Sequence, residues 1–287
     1  ILDNASVNNP YYNIPEYIEI EEKFNVKSTF FFRTIYENGD YRDYHDEITS
    51  LLKNGWEIGL HLDPNSIDDI KKISDEKSKL ESITKTSVKG NRVHYLGFND
   101  ELPSKLKKLG FIYDSSIRKS KDRIDENEMG YSKINELIEF PITLMDAYMF
   151  TYMKIKEDQI VKTFENTLDF SRKLDKKNGI ITVIWHDNVL QMKGGRMYGK
   201  ILEFLTSQND VKICRGIDLA LMVKWLKKQL IAKSAKIRKS KLESEYIEIG
   251  PRVNIFGAYI KAKKIIIKSD AILTNCKIIS DGLVIIG

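Results

Sequence analysis

Cysteine is nearly absent: the chain of 287 residues has two, Cys214 and Cys276, in different kinds of sequence. That excludes a small fold stapled by disulfides and leaves both as small, buried apolar side chains. Long apolar runs are lacking as well. No stretch reaches the roughly 18 residues of a membrane span, so no membrane-crossing helix is expected. Histidine is scarce, with only His45, His61, His94 and His186 available for imidazole chemistry. What is present is a globular composition, 42% hydrophobic and 30% charged. It can build a sizeable core and excludes wholesale disorder.

The net charge is +5, with eight Lys/Arg and no acid between Asp218 and Glu243. That stretch fits an anionic partner, or the solvated face and tail of a helix leading into a linker. No nucleic-acid motif with interleaved aromatics accompanies it, so no nucleic-acid partner is expected. The chain opens ILDNAS without an initiator Met and stops inside a strongly patterned region, so it reads as a fragment. The lack of a leader then says nothing about export.

Short β-type runs alternate with helical stretches. Strands are expected at 26–33, 56–60, 88–94, 111–115, 137–143, 179–185 and 211–214. Helices are expected around PEYIEIEEKF and over 45–54, 67–82, 101–109, the Ile160 to Leu168 region, 197–205 and 217–230, with Asn65 or Ser66 capping the third. This alternation implies right-handed crossovers and a mainly parallel sheet, and about seven units suit a closed or nearly closed β/α barrel. In such barrels, chemistry gathers at the C-terminal ends of strands.

The last forty residues follow another period. Ile249, Ile255, Ile267, Leu273, Ile279 and Ile285 recur every six residues, with Lys261 in the missing slot. IEIG, IIIK and LVII recur every eighteen. Three six-residue edges per coil describe a parallel β-helix with one aliphatic side chain per edge pointing inward; the alternative is a pair of antiparallel hairpins. About two coils over 247–287 resemble the hexapeptide-repeat β-helix proteins. The expected layout is a barrel over 1–232, a basic linker over 233–245 and the β-helix fragment over 246–287, with homo-oligomers formed through the latter.

His61 follows strand WEIGL, His94 ends KGNRVH, and His186 follows strand GIITVIW. Asp3 follows what reads as the last turn of a first strand. In a β/α barrel all four would share one mouth. A single histidine so placed is ordinarily structural, and His45, inside a helix start, is read that way.

VKSTFFFR, GWEIGLHLDP, NRVHYLGF, FIYDSSI, IEFPITLMD and ITVIWHDN, taken in order, resemble a polysaccharide deacetylase of the carbohydrate esterase family 4 type, in its divergent branch of surface-polysaccharide members. The resemblance covers roughly residues 1–230. It implies an α/β fold, a distorted (β/α)7-type barrel, followed here by the parallel β-helix fragment. It implies a divalent metal, expected to be zinc, held by Asp3 and His61. The second histidine usual four residues after His61 is replaced by Asn65, and His94 is the candidate replacement ligand. The family's base aspartate would lie upstream of this sequence. His186 would protonate the leaving amine and Asp146 orient it, while Arg92, Tyr95 and Trp185 would contact the sugar.

The chemistry accounts for these residue types. A cation on one carboxylate and two imidazoles activates water and polarises an acetyl carbonyl, and the departing amine needs an acid. The implied activity is removal of an N-acetyl group from a sugar of a cell-surface polysaccharide or its precursor. The competing expectation is a barrel without catalysis, serving as a carbohydrate-binding or scaffolding module.

Overall fold

A computed structural model describes residues 12–36, 39–174, 179–192, 194–226, 229–244, 246–262 and 264–287. Two compact units divide at Ile217/Asp218. Among the described residues no helix is long and apolar enough to cross a membrane.

The first unit runs α1 (Ile14–Lys23), β1 (Thr29–Phe32), α2 (His45–Lys53), β2 (Glu57–Leu62), α3 (Ile70–Thr84), β3 (Gly90–Val93), α4 (Leu102–Lys108) and β4 (Tyr113–Asp114). It continues through β5 (Ser132–Ile134), β6 (Leu137–Glu139), β7 (Leu144–Met145), α5 (Asp146–Thr151), α6 (Ile160–Lys173), β8 (Val183–Ile184) and α7 (Tyr198–Thr206) to α8 (Gly216–Leu226) at the boundary. Strands β1, β2, β3, β4 and β6 pair in parallel, with β5 antiparallel at the edge. A second sheet pairs β7 with β8 in parallel. The chain from β6 to β7 joins the two: Ile142 N donates to Ile117 O at 2.9 Å, and Thr143 N donates to Thr182 O at 2.9 Å. Among the described residues no pairing closes β8 onto β1.

Period-two alternation divides each strand into a helix-side face and an inner face. Phe30, Phe32, Ile58, Leu60, Leu62 and Val93 pack in one cluster with Ile48 and Leu51 of α2, Ile73 and Leu80 of α3, and Leu102 and Leu106 of α4. The inner face is layered. At the N-terminal ends, Thr29 and Tyr113 donate to Glu57 at 2.6 and 3.0 Å. Midway, the Arg92 guanidinium lies 4.4 Å from the Phe31 ring centroid. Gly59 makes room there, since a Cβ would sit 2.6 Å from that ring. At the C-terminal ends stand Arg33, His61, Asp63 and His94.

Several expectations are corrected. Strand β2 extends through His61 and Leu62, because both stay in register with Arg92 and Val93. Residues 211–214 form no strand. Helix α3 is capped by Asp69, which accepts from Lys71 N at 2.8 Å, and not by Asn65 or Ser66. Cys214 and Cys276 are half-buried, not fully buried.

The second unit holds β9 (Gln229–Ile231), β10 (Lys236–Arg238), β11 (Lys241–Glu243), β12 (Tyr246–Ile249), β13 (Asn254–Phe256), β14 (Tyr259–Lys261), β15 (Lys264–Ile267), β16 (Ile272–Thr274), β17 (Lys277–Ile279) and β18 (Leu283–Ile286). They form three parallel sheets, β10-β13-β16, β11-β14-β17 and β9-β12-β15-β18. Lys236 pairs with Asn254 and Asn254 with Ile272, a stagger of eighteen residues. The parallel pairing excludes the antiparallel hairpins. Residues 233–245 are not a plain linker, since they contain β10 and β11, and Lys236, Arg238 and Lys241 of the basic stretch lie on those strands.

The inward phase also differs from the six-residue reading. Ile249, Ile255, Ile267 and Leu273 are buried, but on the third edge Ile260 is fully buried and Lys261 exposed. Ile279 and Ile285 face outward at 59% and 54% exposure, while Ile278 and Val284 turn inward. A step of one residue moves a strand side chain to the opposite face. The last coil adds another such step, because Lys264 pairs with Leu283.

Candidate active site at the strand ends

His61 is the last inner-face residue of β2, and His94 follows β3 directly. The neighbouring strands bring them together, with His61 Nε2 and His94 Nδ1 3.1 Å apart. His61 Nδ1 lies 2.9 Å from the carbonyl oxygen of Arg92, its register partner. A carbonyl only accepts, so Nδ1 carries a proton, and in the neutral ring Nε2 presents its lone pair toward His94. Two nitrogens bound to one zinc-like ion at about 2.0–2.1 Å stand roughly 3.3 Å apart in tetrahedral geometry. The observed spacing and the carbonyl behind His61 therefore fit a shared cation, since metal-binding imidazoles ordinarily donate their second N–H to such a group. Among the described residues no cluster of three or more His, Cys, Asp or Glu is grouped for a metal, and Asp3 lies outside the described residues.

Tyr95 and Leu96 follow with φ of +56° and +57°. Left-handed backbone at non-glycine residues costs on the order of 1–3 kcal/mol each and tends to mark functional sites. The result is an 83% exposed Tyr95 ring, its centroid 3.8 Å from that of His94.

His186 and Asp146 form a second pair. Asp146, fully buried at the end of β7, accepts from the His186 backbone N–H at 2.6 Å, and its other oxygen lies 2.6 Å from His186 Nδ1. Gripped at both points, the imidazole is fixed in tautomer and orientation. Tyr17 donates to the His186 carbonyl at 2.9 Å and Asn13 to that of Asp187 at 2.8 Å. Leu96, beyond His94, packs with Ala147 and Tyr148 against Ile142, Met145 and Ile184, which ties the His94 turn to the strands bearing Asp146 and His186.

Two expected sugar contacts sit elsewhere. Arg92 is buried and donates to the Ser115 carbonyl at 2.9 Å and hydroxyl at 2.8 Å, so its guanidinium braces the inner face. Burial pushes its pKa down to about 10, which leaves it charged at neutral pH. Trp185 is partly buried in the core, edge-on to Phe150 and tilted against Tyr198. Asn65 directs its amide to Asp63 Oδ1 at 3.0 Å. His45 is exposed beside Asp46.

The sequence reading missed the ion pair of Arg33 with Asp63, 3.1 Å long and largely buried at the ends of β1 and β2. The signal was available: Asp63 stands two residues after His61, on the same face of the strand. It also missed Asn13 and Tyr17, which no local pattern links to residues 186 and 187.

No protein-family profile matches the chain, and no curated protein matches it in sequence. Solved structures do. A protein described as a polysaccharide deacetylase from Mycobacterium smegmatis is similar at a TM-score of 0.56 and 18% identity, over 74% of this chain and 76% of that one. Another so described, from Pseudomonas aeruginosa PAO1, gives 0.55 and 14% over 76% and 74%. The 4-alpha-glucanotransferase from Thermococcus litoralis gives 0.50 and 16% over 76% and 38%. The first unit thus has the α/β fold found in deacetylases. The third neighbour has a different activity on a similar fold, so chemistry must be argued from the site.

Proposed function

We propose that the chain is a metal-dependent hydrolase that removes an N-acetyl group from a sugar of a cell-surface polysaccharide or its precursor. The observation that carries this is the 3.1 Å approach of His61 Nε2 to His94 Nδ1, with the His61 tautomer set by the Arg92 carbonyl. Asp3, His61 and His94 are the proposed ligands. A divalent ion of the zinc type bound there supplies Lewis acidity, lowering the pKa of water to about 7 and polarising the acetyl carbonyl. His186 delivers a proton to the leaving amine, which is too basic to depart as an anion. Asp146 keeps the ring aimed through that transfer. Tyr95 offers its open face to a sugar ring above His94.

The proposed architecture is a distorted (β/α)7-type barrel, followed in the chain by a parallel β-helix. Three sheets staggered by eighteen residues support the β-helix, whose proposed role is spacing or self-association.

Acetate release from N-acetylated amino-sugar oligomers tests the function. Zinc- or cobalt-loaded protein should release acetate, and chelation or His186→Ala should stop it. A second reading, a carbohydrate-binding or scaffolding module, is favoured by Asn65, whose amide serves Asp63 where relatives are expected to present a metal-binding histidine. Oligosaccharide binding without acetate release, unaffected by chelation, would select it.

A further inference from the structure

Asn91, Asp114 and Glu139 occupy one row across β3, β4 and β6, each the register partner of the next. The row lies on the helix-side face, apart from the histidines. Asp114 and Glu139 are 0% and 2% exposed. Asp114 Oδ1 accepts from Asn91 Nδ2 and from the Ser116 hydroxyl, both at 2.8 Å. Glu139 Oε1 accepts from Ser116 N and Ile117 N at 3.1 and 2.9 Å. Asp114 Oδ2 is buried with no hydrogen-bond donor.

Two ionised carboxylates on adjacent strands, out of water, would carry a severe desolvation cost. A proton on one supplies the donor that Asp114 Oδ2 lacks. Burial pushes both carboxyls up, and the charge of Asp114 pushes Glu139 further. The charge acting on the pair from β3 is the Arg92 guanidinium, and across from Glu139 β5 presents the uncharged Ser132.

We propose that Asp114 and Glu139 share one proton as a carboxyl–carboxylate pair, and that this pair positions His94. The route is short. Ser116, held by both acids, accepts from Val93 N at 2.9 Å, and Val93 is the residue before His94. Asn91, held by Asp114, precedes Arg92, whose carbonyl fixes His61. Loss of the proton to solvent at alkaline pH sets two charges against each other and loosens the end of β3. The link to His94 rests on the metal reading, whereas the shared proton does not.

The test follows the unfolding equilibrium of the full chain in urea across pH, with cobalt(II) affinity measured separately. One proton held only by the folded state lowers the folding constant by up to tenfold per pH unit above about pH 4. Glu139→Gln and Asp114→Asn each keep a donor in place of the shared proton, so each should make that fall shallower by up to tenfold per unit. Cobalt affinity should stay within about threefold of the parent in Glu139→Gln and drop at least tenfold in Glu139→Ala. Infrared spectra of the unsubstituted chain should contain a protonated-carboxyl stretch at pH 7 that carbon-13 labelling of Asp and Glu shifts. An unchanged pH slope in both variants, or no such band, overturns the shared proton. A changed slope with equal cobalt affinity in Gln and Ala variants overturns the positioning role. A parent chain that binds no cobalt removes the metal reading and the positioning role with it, and leaves the proton pair standing.

Discussion

The Nε2 atom of His61 and the Nδ1 atom of His94, 33 residues apart in sequence, stand 3.1 Å apart in space. With Nδ1 donating to the Arg92 carbonyl, a neutral His61 offers its Nε2 lone pair toward His94, where it can accept a proton or bind a cation. Parallel pairing of β2 with β3 allows the contact, since it places both residues at adjacent strand ends.

Asp146→Asn should act on turnover. An amide opposite His186 Nδ1 presents N–H where the carboxylate accepts, which favours the wrong tautomer. Steady-state kinetics on an N-acetylated oligosaccharide should give kcat lower by about 10²–10⁴-fold, with KM within about threefold. An equal loss in KM would place Asp146 in substrate binding instead.

Tyr95→Gly should separate stability from function. Glycine adopts φ near +56° without the Cβ penalty, and the lost ring is exposed. Urea unfolding should give equal stability or a gain of up to about 1 kcal/mol, while KM rises several-fold.

Glu57 links pH to stability at the opposite ends of the strands. Burial raises its pKa, against which the donors Thr29, Tyr113 and Ile217 pull down only in part. A raised folded-state pKa means its contribution is complete below the ordinary carboxylate value near 4.3 and is lost as pH rises through the raised value. Glu57→Gln should therefore lessen the alkaline loss seen in denaturation curves. Glu57→Ala, which strands several buried donors, should cost about 2–4 kcal/mol at any pH.

Ile260→Ala and Ile279→Ala test the inward phase of the second unit. Removing the buried Ile260 should cost about 2–5 kcal/mol, and trimming the outward Ile279 less than about 0.5 kcal/mol, by chemical denaturation of the full chain. Equal costs would restore the uniform six-residue phase.

Most strands and helices around the site could be read in advance, because each strand carries its own apolar pattern and glycines with positive φ, such as Gly55 and Gly110, follow α2 and α4. The sequence also placed His61, His94 and His186 at strand ends. What it could not supply was direction. Arg92 and His61 share the inner face, yet Arg92 turns its guanidinium to Ser115 and only its carbonyl serves the site. Tyr17 and Asn13 reach residues 186 and 187 across more than 160 positions, and nothing local foretells this. In the second unit the eighteen-residue repeat was legible, but the division of each coil into edges was not, because Ile260 and Lys261 differ in burial through a corner one residue shorter than expected.

The most direct measurement is the visible spectrum of the full chain titrated with cobalt(II), repeated on His61→Ala and His94→Ala. One equivalent per chain should give a ligand-field band, and either substitution should abolish it. No binding, or the same band at the same stoichiometry in both variants, would contradict a cation shared by these two imidazoles.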